Sequence, residues 1–370
     1  MVRDSLVMYS KSSMDSCIHW NDERQKLMNQ DRFFLGQSFL GRFFIFSIFA
    51  MMLLPTSIQA DDTSTIAKLA GQSMLLDGAS SGALMTVVGE RGHVLISSDG
   101  KSWQQIIVPT RATLTGVYFR DRQNGWVVGH DAVILRTTDG GKQWQKVYYD
   151  PEGETPLFDI WFRDEKHGIA IGAYGLYLVS EDGGASWVIS EMNVITEKSA
   201  DDSGEEEIKA EDDDDFLDSY DLHLNSIALS DNGKLYIAAE AGKIYRSDDS
   251  GESWIPLVSP YVGSFFGILP LAGDTVLVFG LRGHLFRSED AGVNWQEIET
   301  PTQEMLTNGI VMTDDEIYIT GLGGTILKSN DGGQSFALQE QGHRDGLTAI
   351  IQAPEGELIT VGEKGVSLLQ

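Results

Sequence analysis

One short phrase recurs along this chain and constrains its fold more than any other feature. It reads TTDGGKQW at 137–144, SEDGGASW at 180–187, SDDSGESW at 247–254, SEDAGVNW at 288–295 and SNDGGQSF at 329–336, with a shorter relative, SSDGKSW, at 97–103. The closing aromatic residues Trp103, Trp144, Trp187, Trp254, Trp295 and Phe336 follow one another at 41, 43, 67, 41 and 41 residues. A period of this size takes precedence over local structure, because each copy is one supersecondary unit that buries its apolar face only against its neighbours. A second pattern lies upstream of each phrase: an apolar strand, a small residue, two variable residues, a glycine and another apolar strand. It occurs seven times, from VVGERGHVLIS at 87–97 to TVGEKGVSLLQ at 360–370, with Ala132 replacing the glycine in the second copy.

Each unit reads as four short strands. In the second they are LTGVYF (114–119), GWVVG (125–129), AVILRT (132–137) and WQKVYY (144–149). β-Branched and apolar runs of this length between Gly, Asp and Asn are the strand signal, and no stretch of 12 residues keeps a helical period. The expected fold is all-β, a seven-bladed β-propeller over 61–370. The last copy stops after its third strand, so Thr65–Ala70 is expected to supply the missing strand and close the ring.

The composition of the turn phrase follows from its place between strands three and four. Gly141, Gly184, Gly251, Gly292 and Gly333 accept positive backbone dihedrals. Asp99, Asp139, Asp182, Asp249, Asp290 and Asp331 can bond backbone amides two residues on, and Thr137, Ser180, Ser247, Ser288 and Ser329 offer a hydroxyl to the same loop. The aromatic residue then opens strand four and buries its ring against the neighbouring blade, its N–H bonded at the edge. These residues are read as structural.

The phrase is the Asp-box, and the chain resembles the Asp-box (BNR-repeat) propellers over about 71–370. NGWVVGHDAVILRTTDGGKQW at 124–144 is most similar to the YCF48/HCF136-like photosystem II stability and assembly factors. The resemblance implies a non-enzymatic propeller beyond the membrane that binds an assembling membrane protein, in photosystem-associated members through a basic patch. Arg91 and Arg282 occupy equivalent turns here; the other copies offer His130 with Asp131, Tyr174, Ala241, Gly323, and Glu363 with Lys364. Asp-boxes also occur in sialidases and xyloglucanases, so a glycan-binding or glycosidase reading is the alternative.

Residues 1–60 read as a leader. Arg32 and Arg42 precede an apolar run at 43–54, followed by PTSIQA, which fits a secretory signal peptide cleaved after Ala60. An uncleaved anchor from Phe33 is the alternative, although Arg42 interrupts it, and Met28 is a second candidate start. Cys17, the sole cysteine, lies in the removed part, which excludes an intramolecular disulfide and a multi-thiolate zinc site. The chain is thus expected to be exported and periplasmic, or membrane-tethered if the leader stays.

A formal net charge of −28 excludes nucleic acid as the main partner and argues against direct contact with an anionic membrane, so membrane contact is expected through the client. Residues 191–221 hold 14 acidic and 2 basic side chains and account for the 67-residue interval. This insertion is expected on the face bearing the between-blade connections. It reads as a solvated loop, with a low-affinity calcium or basic-partner site at Asp212–Asp215 as the alternative.

Catalytic arrangements are poor. GASSG at 78–82 matches G-x-S-x-G but reads as a turn between strands, not a strand-to-helix elbow. The histidines after the leader, His93, His130, His167, His223, His284 and His343, show no i, i+4 pair for metal. No catalytic residue, cofactor or metal is expected, and the chain is expected to be a monomer. Candidate partner-binding residues are those on the connection face: Arg91, Arg111, His130, Tyr174, Tyr261, Arg282, His343 and Arg344.

Overall fold

A computed structural model describes residues 62–82, 84–195, 222–312 and 315–369. The leader with its apolar run at 43–54, Cys17 and residues 196–221 of the acidic insertion lie outside the described residues. The described chain forms seven antiparallel sheets of consecutive strands, six with four strands and the last with three. The second sheet has strands Leu114–Phe119, Gly125–Gly129, Ile134–Thr137 and Gln145–Tyr148, within two residues of the sequence reading. The inner strands of the seven blades are Leu75–Ser80, Leu114–Phe119, Leu157–Phe162, Leu224–Leu229, Phe265–Pro270, Leu306–Val311 and Leu347–Gln352. Each packs on the next, and the last packs on the first, so the ring closes. The architecture is a seven-bladed propeller.

The second strand of every blade is buried along its whole length. That requires apolar cover on both faces of the sheet, which neighbouring blades provide. Seven apolar clusters result, each shared by two adjacent blades. Trp144, Trp187 and Trp254 each sit in the cluster between their own blade and the preceding one. Burying a ring of this size stabilises by about 2–3 kcal/mol.

The Asp-boxes repeat one hydrogen-bond pattern. In the second blade the Thr137 hydroxyl donates to Asp139 Oδ1 at 2.9 Å and accepts from Gly141 N–H at 3.0 Å, while Asp139 Oδ1 accepts from Lys142 and Gln143 N–H. Ser180, Ser247, Ser288 and Ser329 do the same for Asp182, Asp249, Asp290 and Asp331. The amides captured by these aspartates lie three and four residues on, not two, because these loops are one residue longer than the first copy. In the shorter first copy Asp99 does capture Lys101 N–H, two residues on, together with Ser102 N–H. These donors favour the charged carboxylates: the Ser102 and Lys101 amides hold Asp99 near about 2, and the Ser335 hydroxyl holds Asp331 at about 2. The Trp103 and Trp144 indoles donate to Gly100 and Gly141 carbonyls inside their own loops, and Trp254 donates to the Tyr177 hydroxyl. Trp187 and Trp295 Nε1 have no hydrogen-bond partner among the described residues.

Three expectations are corrected. Thr65–Ala70 does not form the fourth strand of blade seven. Residues 64–67 lie along the outer strand of blade one: Ser64 N–H donates to Val108 O, and the Gln105 amide bridges Ala67 N–H and Thr65 O. Asp62 then pairs with Lys146 of blade two at 2.9 Å. The segment straps blade one, drawn there by side-chain partners that strand patterning does not register. Within GASSG, Gly78–Ser80 belong to the inner strand and only the remainder turns. The acidic insertion begins on the outer rim: Val194 pairs in parallel with Trp254, and Ile195 N–H donates to Trp254 O. The chain is back on the connection face by Leu222, whose carbonyl accepts from Gly175 N–H.

Gly184 has a φ of +69°, and a Cβ there would lie 2.1 Å from Trp126 Nε1, whereas Gly233, with a φ of +84°, has nothing within 4 Å. Gly184→Ala is expected to lower stability by about 3 kcal/mol or more. Gly233→Ala is expected to cost about 1 kcal/mol, from backbone strain alone. Urea midpoints of the two variants measure the difference.

Candidate partner-binding face

The antiparallel strand order puts the turns between strands two and three on one face with the connections from blade to blade, and the Asp-boxes on the other. Six of the seven turns carry two consecutive residues of positive φ, the first being Arg91, Asp131, Tyr174, Ala241, Arg282 or Gly323, with φ between 52° and 65°, and the second a glycine or, in the second blade, Ala132. The glycine that follows is pressed under the connection. A Cβ at Gly92 would lie 2.2 Å from Thr110 O, and one at Gly283 would lie 2.3 Å from Thr302 O. The left-handed residue cannot turn inward, so its side chain is displayed.

The structure sorts the sequence candidates into groups. Arg91, His130 and Arg282 are exposed, and Tyr174 is 63% exposed. Neither Arg91 nor Arg282 forms an ion pair among the described residues. Arg111 is committed to the N-terminal strap, its Nε donating to Thr63 O at 2.9 Å. Tyr174 meets the edge of His223 at a centroid distance of 5.0 Å. Tyr261 lies over His284 at 4.3 Å, and His284 stacks on Phe286. His343 sits 3.6 Å from Asp345, and Arg344 sits 3.7 Å from Glu304.

Two open cavities on this face hold several of these residues. One of about 690 Å³ is lined by Arg282, His284, Glu297 and Thr300; another of about 320 Å³ is lined by Glu304, Gln341, His343 and Arg344. Thr302 and Gln303 line both, which makes them one continuous tract across blades five to seven. Arg91 and Arg111 belong to blade one and His130 to blade two, apart from it. The tract offers two guanidinium groups, two imidazoles and carboxylates, with Tyr261 against one of the imidazoles, a mixture suited to a polypeptide surface rather than to one small ligand. His284 is not among the residues named from loop position; His93, at the same repeat position, is buried, whereas His284 faces Tyr261.

The ring axis carries a further set of polar residues that the repeat pattern does not single out. Inner strands of all seven blades line a channel of about 290 Å³, with Asp77, Asp159, Asn225 and Asn308 among its lining residues and no arginine there. Asp77 Oδ2 accepts from Val117 N–H at 2.8 Å and Asp159 Oδ2 from Ile227 N–H at 2.9 Å, each bond crossing to the next blade. Desolvation pushes the Asp77 carboxyl up to about 7, with the nearby Asp159 charge adding to it, and pushes Asp159 to about 6. The signal was present as LLD and LFD at matching positions of strand one, Asp77 and Asp159 both third in their strands.

Residues 95–155 and 147–298 match the family described as Photosynthesis system II assembly factor YCF48. The chain belongs to the YCF48 family. Among curated relatives, the photosystem II assembly protein Ycf48 of Thermosynechococcus vestitus is 43% identical over 47 residues, 13% of this chain and 14% of that protein. The chain thus spans about a seventh of the curated relative it matches. Among solved structures, YCF48 bound to D1 peptide is 18% identical, covering 83% of this chain and 96% of that one, with a TM-score of 0.60. Streptogramin B lyase gives a TM-score of 0.62 at 12% identity, covering 83% of this chain and 97% of that one. Likeness at these identities shows the propeller; membership of the YCF48 family rests on the sequence match.

The two channel carboxyls give this family member a pH signature. Their folded pKa values exceed the ordinary 3.8, so their contribution to stability is complete below about pH 4 and is lost as pH rises through 6 to 7. Asp77→Asn keeps an oxygen for Val117 N–H and removes the loss. It is expected to be more stable than the parent by about 1–2 kcal/mol at pH 8 and to match it near pH 4, as read from urea midpoints at both pH values.

Proposed function

We infer that this chain is an exported, non-enzymatic propeller that binds a membrane protein while the complex containing that protein is assembled. Membership of the YCF48 family supports this reading, and the observation that carries it is the tract of Arg282, His284, His343 and Arg344 on the connection face. A left-handed turn holds Arg282 outward there, on a blade whose second strand is fully buried. The tract mixes cations with Glu297 and Glu304 and is not a uniformly basic patch. A client segment carrying both signs of charge and an aromatic or apolar residue fits it best. A YCF48 structure holds a D1 peptide, and a segment of a membrane protein is the corresponding ligand class here. Export and action as a monomer belong to the same proposal.

The test is capture from detergent-solubilised membranes by residues 61–370 tagged at the C-terminus. An integral membrane partner is expected to be retained by the parent chain. Retention is expected to fall roughly fivefold or more, the loss of about 1 kcal/mol, in the Arg282→Glu, Arg344→Glu double variant. Retention of polysaccharide alone would move the reading to glycan binding.

A further inference from the structure

The outer strand of blade seven, Gly365–Leu368, has one side that no described residue pairs. The other six blades cover that side with a fourth strand. In blade six Lys328 faces Tyr318 of strand two and Ala337 of strand four. Leu368 faces Ile359, the second residue of its own strand two as Tyr318 is, and so holds the equivalent position. Leu369 N–H donates to Leu358 O, so the alternation of an antiparallel strand turns the N–H and C=O of Val366 and Leu368 outward. Ser367 is exposed and Leu368 is 41% exposed. Exposed edges are ordinarily guarded by charge, proline or a bulge, and Gly365–Leu369 carries neither charge nor proline.

Residues 70–72 pack against Gly365 at one end of this strand, but the residues before them are led away from the rest of the edge. Residues 64–67 are fixed to blade one and Asp62 to Lys146 of blade two. A second copy would bring a chain of the same formal charge, −28, against its like, which disfavours that occupant and favours a basic one. The other blades show what fits the position: strand four follows an aromatic residue seated against the preceding blade. At the six–seven interface Tyr318 and Leu358, with half-buried Met312 and Leu369, offer the corresponding apolar contact.

We propose that this edge receives an extended segment of the assembling partner as the fourth strand of blade seven, antiparallel to Gly365–Leu368, opened by an aromatic residue and flanked by basic ones. The proposal rests on the partner-binding reading above and adds a second contact, on the rim rather than on the connection face.

Hydrogen exchange of residues 61–370, read by mass spectrometry, tests it with the synthetic peptide WQKVYY, the chain's own sequence at 144–149, as a stand-in strand. In the free protein the amides of Val366 and Leu368 are expected to exchange almost unprotected, and millimolar peptide is expected to slow them by about tenfold. Leu368→Pro removes an outward N–H and a side chain that is already exposed, and Ser367→Lys adds a charge to the edge without altering the backbone. Both variants are expected to keep the parent's melting temperature, lose the peptide's protection and retain roughly fivefold less membrane partner. Protection already present in the free chain, whether or not sedimentation shows a dimer, would overturn the proposal, as would indifference to the peptide. Undiminished retention of the partner by both variants would overturn it while leaving the assembly reading intact; failure of the parent chain to retain any partner would sink that reading itself.

Discussion

The burial of the second strand in every blade is the constraint on which the rest of this structure depends. A five-residue strand covered on both faces cannot exist in an isolated four-stranded sheet, so each blade needs two neighbours. Seven such strands leave a closed ring as the arrangement in which all are covered. The apolar interior is consequently divided into seven interfaces rather than gathered into one core. Division has an energetic effect: a cavity opened at one interface is felt by two blades, and distant interfaces respond independently.

That frame separates the two faces by the kind of hydrogen bond they carry. On the Asp-box face, carboxylates and hydroxyls are consumed in holding their own loops. On the opposite face the turns are closed by backbone geometry alone, through a left-handed residue and a compressed glycine, which frees the side chains at the tips. Asp131, Tyr174 and Arg282 occupy equivalent places with unrelated chemistry for this reason: the position fixes a dihedral angle and leaves the side chain unspecified. The axis follows a third rule, in which Asp77 and Asp159 spend one oxygen on the next blade's amide and tolerate a raised pKa to do so.

The propeller was legible because its signals are local and repeated. The phrase ending in Trp144 or Trp295 states a turn, a register and a packing direction within eight residues. Closure was less legible, since nothing within 65–70 shows that the Gln105 amide and Val108 carbonyl, some 40 residues away, compete for that backbone. The channel aspartates were hidden by the rule that found the strands: one polar residue in an apolar run reads as ordinary alternation. The candidate tract was half legible. Arg282, His343 and Arg344 were named from loop position, but their adjacency, and the separation of Arg91 and His130 from them, depend on the ring.

The strap formed by residues 62–69 also has a mechanical meaning. Chain connectivity joins every pair of neighbouring blades except the last and the first, and such a seam is where a ring under load would open. Tension arriving from upstream meets the ion pair of Asp62 with Lys146 and the Gln105 clamp before it reaches that seam. The load therefore enters at blades one and two, and Ala70, just beyond the strap, is buried between the first blade and the last, so the same segment also covers the seam from inside.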